Sequence, residues 1–331
     1  MSTTHITPPQ WSVGETRPLH PINWNRIQDE KDLEIWHRLT ANFWLPEKVP
    51  LSNDLKQWRM LSDAERELTV RVFTGLTLLD TVQATVGEVS QIPDGRTEHE
   101  QSVYTNIAFM QAVHARSYSS VFSTMCSTQE IDEAYEWACN NPVLQQRATA
   151  VMKHYRGDDP LKRKASATLL SSLLLYAGFY LPLRFSARGV MMNTADMIRL
   201  ILRDKAVHGY YSGYKYQRGL DAYPERKEEM EAFVYDLVDH LLELELKYSS
   251  ELYEGFDMID GVMAFVYYNA DKALMNLGYR PRFEAEAAKV EPDVLAALAP
   301  DAAETHDFFS GSGSSYVIGR AESTDDGDWD F

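Results

Sequence analysis

Four stretches of this chain place reactive or charged side chains inside otherwise apolar sequence. Asp80 stands in Leu78-Leu-Asp-Thr81. Gln111 and His114 lie three residues apart in Met110-Gln-Ala-Val-His-Ala-Arg-Ser-Tyr118, with Tyr118 one turn further on. Ser171 falls in Leu169-Leu-Ser-Ser-Leu-Leu-Leu175. Lys205 and His208 repeat the three-residue spacing in Arg203-Asp-Lys-Ala-Val-His-Gly-Tyr-Tyr211. On a helix, residues i and i+3 share a face, so each pair converges on one point. A dimetal carboxylate bundle is built on this layout, with one carboxylate from each of two helices and Glu-x-x-His from each of the other two. The layout is here and the ligands are not. Three of the four carboxylate positions read Gln111, Ser171 and Lys205, and Asp80 alone is acidic.

Such a constellation has to be carried by long helices, and the hydrophobic spacing predicts them. Ser62-Asp-Ala-Glu65 has the form of a capping box and opens the pattern Leu68, Val72, Leu76, Leu79. Further helices are expected over 98–125, 129–154, 161–185, 190–218, 224–253 and 258–277. No stretch shows sustained strand alternation, and no solenoid repeat is visible. The expected fold is all-α, a helical bundle with one core. An extended leader is expected over 1–21, where Pro8, Pro9, Pro18 and Pro21 interrupt any periodicity. The helical domain then covers 22–290, and a flexible tail covers 291–331. That tail contains Ser310-Gly-Ser-Gly-Ser-Ser315 and ends Asp325-Asp-Gly-Asp-Trp-Asp-Phe331. Gly/Ser repeats bury too little surface to offset chain entropy. Trp329 and Phe331 are out of place in a purely solvating end, so the acidic terminus reads as a docking peptide.

Composition narrows the classes. The chain has 331 residues, 44% hydrophobic, with 32 Lys+Arg against 49 Asp+Glu and a net charge of −17. That balance repels phosphate backbones and argues against nucleic-acid binding. Cys126 and Cys139 are the only cysteines, which excludes a disulfide framework or thiolate zinc site and fits a reducing cytoplasm. No signal peptide is expected from Met1 to Gln10. The most apolar run, Leu169 to Leu183, carries Ser171, Ser172, Tyr176, Tyr180 and Pro182 and reads as a buried core helix rather than a membrane span.

Several strings together resemble the small, radical-generating subunit of class I ribonucleotide reductase, nearest its class Ib branch. They are Asn42-Phe-Trp-Leu-Pro-Glu-Lys-Val-Pro50, Val113-His-Ala-Arg-Ser-Tyr118, Tyr176-Ala-Gly-Phe-Tyr-Leu-Pro182, Arg203-Asp204, Val207-His-Gly-Tyr-Tyr211 and Asp328-Trp-Asp-Phe331, and the match spans about residues 20–331. The resemblance implies a ferritin-like bundle with extra helices, a homodimer, and a large catalytic subunit as partner in making deoxyribonucleotides. In that family, positions 111, 171 and 205 are glutamate metal ligands. Two divalent ions call for anionic oxygen donors. Asp80, two neutral imidazoles and Lys205 sum to no net charge. An unpaired buried charge is strongly destabilising, so Lys205 is expected to pair with Asp80 in place of metal.

The Gln/Ser/Lys pattern further resembles the variant subgroup called class Ie. The resemblance implies loss of the dimetal centre. It also implies hydroxylation of Tyr118 to a dihydroxyphenylalanine (DOPA) that holds the radical, with oxidant supplied through a flavodoxin-like activating protein. A catechol is easier to oxidise than a phenol, which is compatible with a radical that persists without a metal pair. The implied relay runs through Trp44, with Asp204 and His114 as hydrogen-bonded companions, to Tyr316 in the tail, fifteen residues from the end. Docking then falls to Trp329, Asp330 and Phe331.

Blander readings stand beside these. A lone histidine on an apolar helix is more often a satisfied core residue than a ligand. Trp44 could serve as a packing anchor, and most of the 18 tyrosines must be packing. Glu98, His99 and Glu100 read as an exposed charged turn. A conventional dimetal subunit could borrow Glu88, two turns after Asp80, but Lys205 would still stand in the way. A catalytically dead regulatory partner of the large subunit would also lose ligands, although it has no reason to keep Trp44, Tyr118, Asp204 and Tyr316. Ferritin-like storage lacks the carboxylates it needs.

Overall fold

The computed structural model describes residues 21–298, and among them every regular element is helical. In chain order the main helices are α1 (Glu30–Ala41), α2 (Asp63–Val82), α3 (Glu98–Met125), α4 (Thr128–Asn140) and α5 (Pro142–Tyr155). They continue with α6 (Pro160–Leu169), α7 (Tyr176–Ala187), α8 (Met192–Ala222), α9 (Lys227–Leu252), α10 (Ile259–Asn276) and α11 (Pro292–Leu298). Two hairpins make the centre. One packs α2 on α3, the other packs α8 on α6 and α7, and α9 and α10 close the outer side. The fold is the all-α bundle expected from the sequence.

The helix ends follow local chemistry. The Ser62 hydroxyl accepts from the Glu65 amide at 3.2 Å, and the Glu65 carboxylate accepts from the Ser62 amide at 2.9 Å, a complete capping box for α2. Ser127 and Glu130 repeat it for α4. Helix α8 has no such cap of its own, because Met191 before it sits at φ 51° in the left-handed region. A distant segment supplies the acceptors instead. Asp54 accepts from the Thr194 amide at 2.7 Å and the Asn193 amide at 3.2 Å, and Gln57 accepts from the Met191 amide at 2.7 Å. The N-terminus of the helix that carries Lys205 and His208 is therefore set by the segment just after Trp44.

Two expected helices are interrupted. The one expected over 129–154 breaks at Asn141 (φ −73°, ψ 112°), which ends α4 and caps α5. Pro142 has no N–H to donate and disfavours the helical region for the residue before it, so the break is a local steric one. The one expected over 161–185 is divided by a π-helical turn at Leu170–Leu174. A second π turn, Gln83–Gly87, follows α2. Such turns add a residue to the helical ladder and re-aim the side chains near them. The first carries Ser171. Arg147, itself buried against Glu245 and stacked on the Tyr248 ring at 3.9 Å, donates to the Leu174 carbonyl that closes this turn.

One further expectation holds and two are adjusted. The apolar stretch Pro160–Ala187 is long and apolar enough to cross a membrane by composition, but its most apolar window is wholly buried, as for a core helix. The tail expected over 291–331 is described only to residue 298, and that part is ordered on the bundle, since Pro292–Leu298 is helical and packs on α7 with Val294 fully buried. The charged turn expected at Glu98–Glu100 is not exposed. His99 and Glu100 are buried, His99 meeting the Asn23 carbonyl at 3.1 Å and Glu100 facing Lys164 and Lys215 at 3.6 and 3.7 Å. Those cations lie 64 and 115 residues away in sequence, so local pattern could not reveal them. Tyr316, Trp329, Asp330, Phe331 and the leader up to residue 20 lie outside the described residues.

Candidate functional site

The bundle brings Asp80 from α2, Gln111, His114 and Tyr118 from α3, Ser171 from the π turn, and Asp204, Lys205 and His208 from α8 into its interior. All are buried. Close helix approach makes this possible. A Cβ on Gly209 would come within 2.2 Å of the Ser172 hydroxyl, so α8 lies tight against the π turn only because that position is glycine.

Lys205 is the hub. Its Nζ contacts both the Asp80 carboxylate and the Gln111 carbonyl, with neither partner exposed to solvent. The other Asp80 oxygen accepts from the Tyr118 hydroxyl at 3.1 Å. Burial, then the Asp80 charge and hydrogen bond, hold the Tyr118 phenol well above its usual pKa, so it stays protonated. Phe73 stands against its ring at 5.9 Å.

A second group leads toward the surface strand of chain around residue 44. Asp204 Oδ2 accepts from Trp44 Nε1 at 2.7 Å and meets His114 Nε2 at 3.0 Å. Burial, with the Lys205 charge, lowers the His114 pKa to about 3. The ring is therefore neutral, and the contact to Asp204 is a hydrogen bond rather than an ion pair. Trp44 stacks on His114 at 6.1 Å, and His114 on His208 at 5.7 Å. Desolvation raises the Asp204 pKa and drives that of His208 down.

A dimetal centre would need this set to offer anionic oxygens around two cations. It does not fit. Asp80 is already matched by the Lys205 ammonium, which stands where a cation would sit. Gln111 and Ser171 are neutral, and Asp204 is engaged by Trp44 and His114. His114 Nδ1 and both nitrogens of His208 have no hydrogen-bond partner, yet two imidazoles without carboxylates cannot balance two divalent ions. Among the described residues, no group of three or more His, Cys, Asp or Glu side chains is placed to hold a metal ion. Glu88, weighed from the sequence as a substitute ligand, is held instead by amides. It accepts from Gln83 at 2.5 Å, Gln91 at 2.8 Å and, at the limit of a hydrogen bond, Gln111 at 3.5 Å. Sequence reasoning missed this group of glutamines and Tyr155, which donates to Gln83 at 2.6 Å. The available signal was a charge inside Val86-Gly-Glu-Val89.

A family profile described as "Ribonucleotide reductase, small chain" matches residues 21–292. The chain is 60% identical over 311 residues to the ribonucleoside-diphosphate reductase subunit beta of Mycobacterium leprae, covering 94% of this chain and 96% of that one. It is 58% identical to the ribonucleoside-diphosphate reductase 2 subunit beta of Escherichia coli, covering 94% and 98%. Among solved structures, the dimanganese(II) NrdF protein of Streptococcus sanguinis superposes with a TM-score of 0.83 at 42% identity, over 85% of this chain and all of that one. With a family match over most of its length and relatives this near, the chain belongs to the small-chain family of class I ribonucleotide reductase, as a ribonucleoside-diphosphate reductase subunit beta.

Proposed function

We propose that this subunit stores its radical on a hydroxylated Tyr118 without a dimetal centre and passes it to a large catalytic subunit that reduces ribonucleotides. The single observation that carries this reading is Lys205. Its ammonium, matched to Asp80 and Gln111, replaces the charge that metals would bring and leaves no anionic cage for them. The dimanganese of the streptococcal relative is a property of that protein; the donor set here is different.

The chain's own residues support the chemistry. Hydroxylation replaces one Tyr118 ring C–H by C–OH, a two-electron oxidation for which an oxygen-derived oxidant delivered through a flavodoxin-like activating protein is the proposed source. A further equivalent of the same oxygen-derived oxidant takes one electron from the resulting catechol, which releases a proton, and Asp80 Oδ2, 3.1 Å from the hydroxyl, is placed to take it. Burial and the apolar ring of Phe73 keep water from the radical. Outward transfer goes by Trp44, whose indole proton is bound to Asp204 and whose ring lies on His114, and then by Tyr316 of the tail. In the same reading, Trp329, Asp330 and Phe331 dock on the large subunit, and the beta subunit is a homodimer in the cytoplasm.

The test is peptide mass spectrometry across Ser117 to Arg147 on protein co-produced with its activating protein, with metal analysis of the same sample. One added oxygen on Tyr118 and negligible metal is the expected result. An unmodified Tyr118 with about two metals per chain restores the dimetal mechanism. An unmodified Tyr118 without metal leaves the regulatory-partner reading.

A further inference from the structure

Glu88 is a fully buried carboxylate that the radical chemistry described above does not use. Its hydrogen-bond partners among the described residues are all side-chain amides, from Gln83, Gln91 and Gln111. Burial raises its pKa to about 7, the amide of Gln83 and the charge of Lys205 acting against that rise. Three amide donors converging on one acid are a built arrangement, because each glutamine must give up side-chain freedom to join it.

The informative member is Gln111. Its carbonyl faces the Lys205 ammonium and its NH2 faces the Glu88 carboxylate. An amide between a cation and an anion has one favourable orientation. Turned over, it would set NH2 against NH3+ and C=O against a carboxylate. The chain of polar contacts thus runs from Tyr118 through Asp80, Lys205 and Gln111 to Glu88, then through Gln83 to Tyr155, its longest link being Gln111 to Glu88 at 3.5 Å.

We infer that Glu88 is a positioning residue of the Tyr118 site, orienting the Gln111 amide so that its carbonyl locks Lys205 onto Asp80. Gln83 and Gln91 hold Glu88 in turn, and the π turn Gln83–Gly87 places both Gln83 and Glu88 on the inner face. The inference rests on the reading of Tyr118 as the working residue, but it concerns the hydrogen bond at the Tyr118 oxygen and applies to the unmodified side chain.

The test uses full-length, unmodified protein with ring-labelled tyrosine. The Tyr118 C–O stretching band is identified by its loss in Tyr118→Phe. Glu88→Gln, which keeps the side-chain shape, is expected to shift this band. Gln83→Met, which loosens Glu88 and leaves Gln111 in place, is expected to shift it in the same direction. A double-mutant cycle between Glu88→Gln and Lys205→Gln is expected to depart from additivity by at least about fivefold in the unfolding equilibrium constant. The same cycle with Arg147→Lys should be additive. An unmoved band in whichever of the two variants folds, or additivity with Lys205, overturns the inference. These readouts precede any modification, so a Tyr118 later found without added oxygen would sink the functional reading and leave this one standing.

Discussion

Two buried ionic clusters sit on the same pair of helices and are built in opposite ways. The first is the Tyr118 site, where Lys205 of α8 pairs with Asp80. The second lies about 15 Å further along α8, ten residues on at 1.5 Å each. There Lys215 contacts Asp32 at 2.5 Å, Asp29 at 2.9 Å and Glu100 at 3.7 Å, and Lys164 faces Glu100 at 3.6 Å. Tyr211 and Tyr214 add hydroxyl donors to Asp32 and Asp29. Burial pushes the Asp29 pKa up, but Lys215 outweighs it and leaves the group below its usual range. This second cluster ties α1 to α3 and α8 and opens toward solvent at Asp29. It is a clamp.

The Tyr118 site is built with fewer charges. It leaves His208 without partners on either nitrogen, and it spaces its charges through neutral amides. Charge burial is common to both, so burial alone does not mark a functional site. Unsatisfied polar atoms are common to both as well, His208 in one and Lys164 Nζ with the Tyr104 hydroxyl in the other. What separates them is composition, neutral imidazoles and an amide around the Lys205–Asp80 pair against two lysines set among three acids.

Four measurements would break or sharpen the contrast. The largest effect is expected from Tyr118→Phe, which should cut ribonucleotide reduction at least ~10,000-fold, about 5 kcal/mol of barrier, while costing only about 1 kcal/mol of stability. The equivalent Tyr211→Phe in the clamp should leave turnover within about twofold. Comparable turnover loss in both would erase the distinction.

Next is Lys205→Met. Removing the one cation beside Asp80 strands a buried carboxylate and should destabilise the fold by about 3–5 kcal/mol in denaturant unfolding. Lys215→Met should cost at least as much, since it releases three acids. On the proposed function, only the Lys205 variant should also fail to acquire an added oxygen on Tyr118.

The third is pH dependence. Glu88 has a raised pKa of about 7 in the fold against 4.5 as the reference value. Relative to the unfolded chain the fold favours its protonated form, so its contribution is full below pH 4.5 and is lost as pH rises toward 7. Comparing unfolding free energies of wild type and Glu88→Gln across that window should show a difference on the order of 3 kcal/mol developing with pH. His114 works in the reverse sense. Its lowered pKa of about 3 means that stability falls as pH drops below about 6.5. A flat Glu88→Gln difference would mean that the amides solvate the carboxylate as well as water does. The smallest effect is expected at the clamp's rim, where Lys31 pairs with the exposed Glu34. Lys31→Ala should change stability by only a few tenths of a kcal/mol.

Much of this was legible in the chain. The Ser62 capping box, the helical spacing of the apolar positions and the extent of α3 all follow from interactions within one or two turns, which local sequence encodes directly. The paired i, i+3 spacings of Gln111–His114 and Lys205–His208 put those residues on common helix faces by spacing alone. The loss of anionic ligands was equally plain, because charge is a property of residue type. Less was legible where a neighbour in space decided the outcome. Glu100 read as exposed until Lys164 and Lys215 stood beside it, and Glu88 had no assigned role, only a place in the disfavoured dimetal alternative, until three glutamine amides closed around it.

The sequence by itself determined that long helices form, which faces are apolar, and that the four inward positions cannot carry the charge of two metal ions. Only the tertiary structure decided the pairing. It set Lys205 between Asp80 and Gln111, aimed the Tyr118 hydroxyl at Asp80, and gathered Trp44 and His114 onto one oxygen of Asp204. The reason is physical. Helix formation is settled by contacts a few residues apart, whereas a buried charge is settled by whichever partner packing brings within about 3 Å, and here those partners lie up to 160 residues away along the chain.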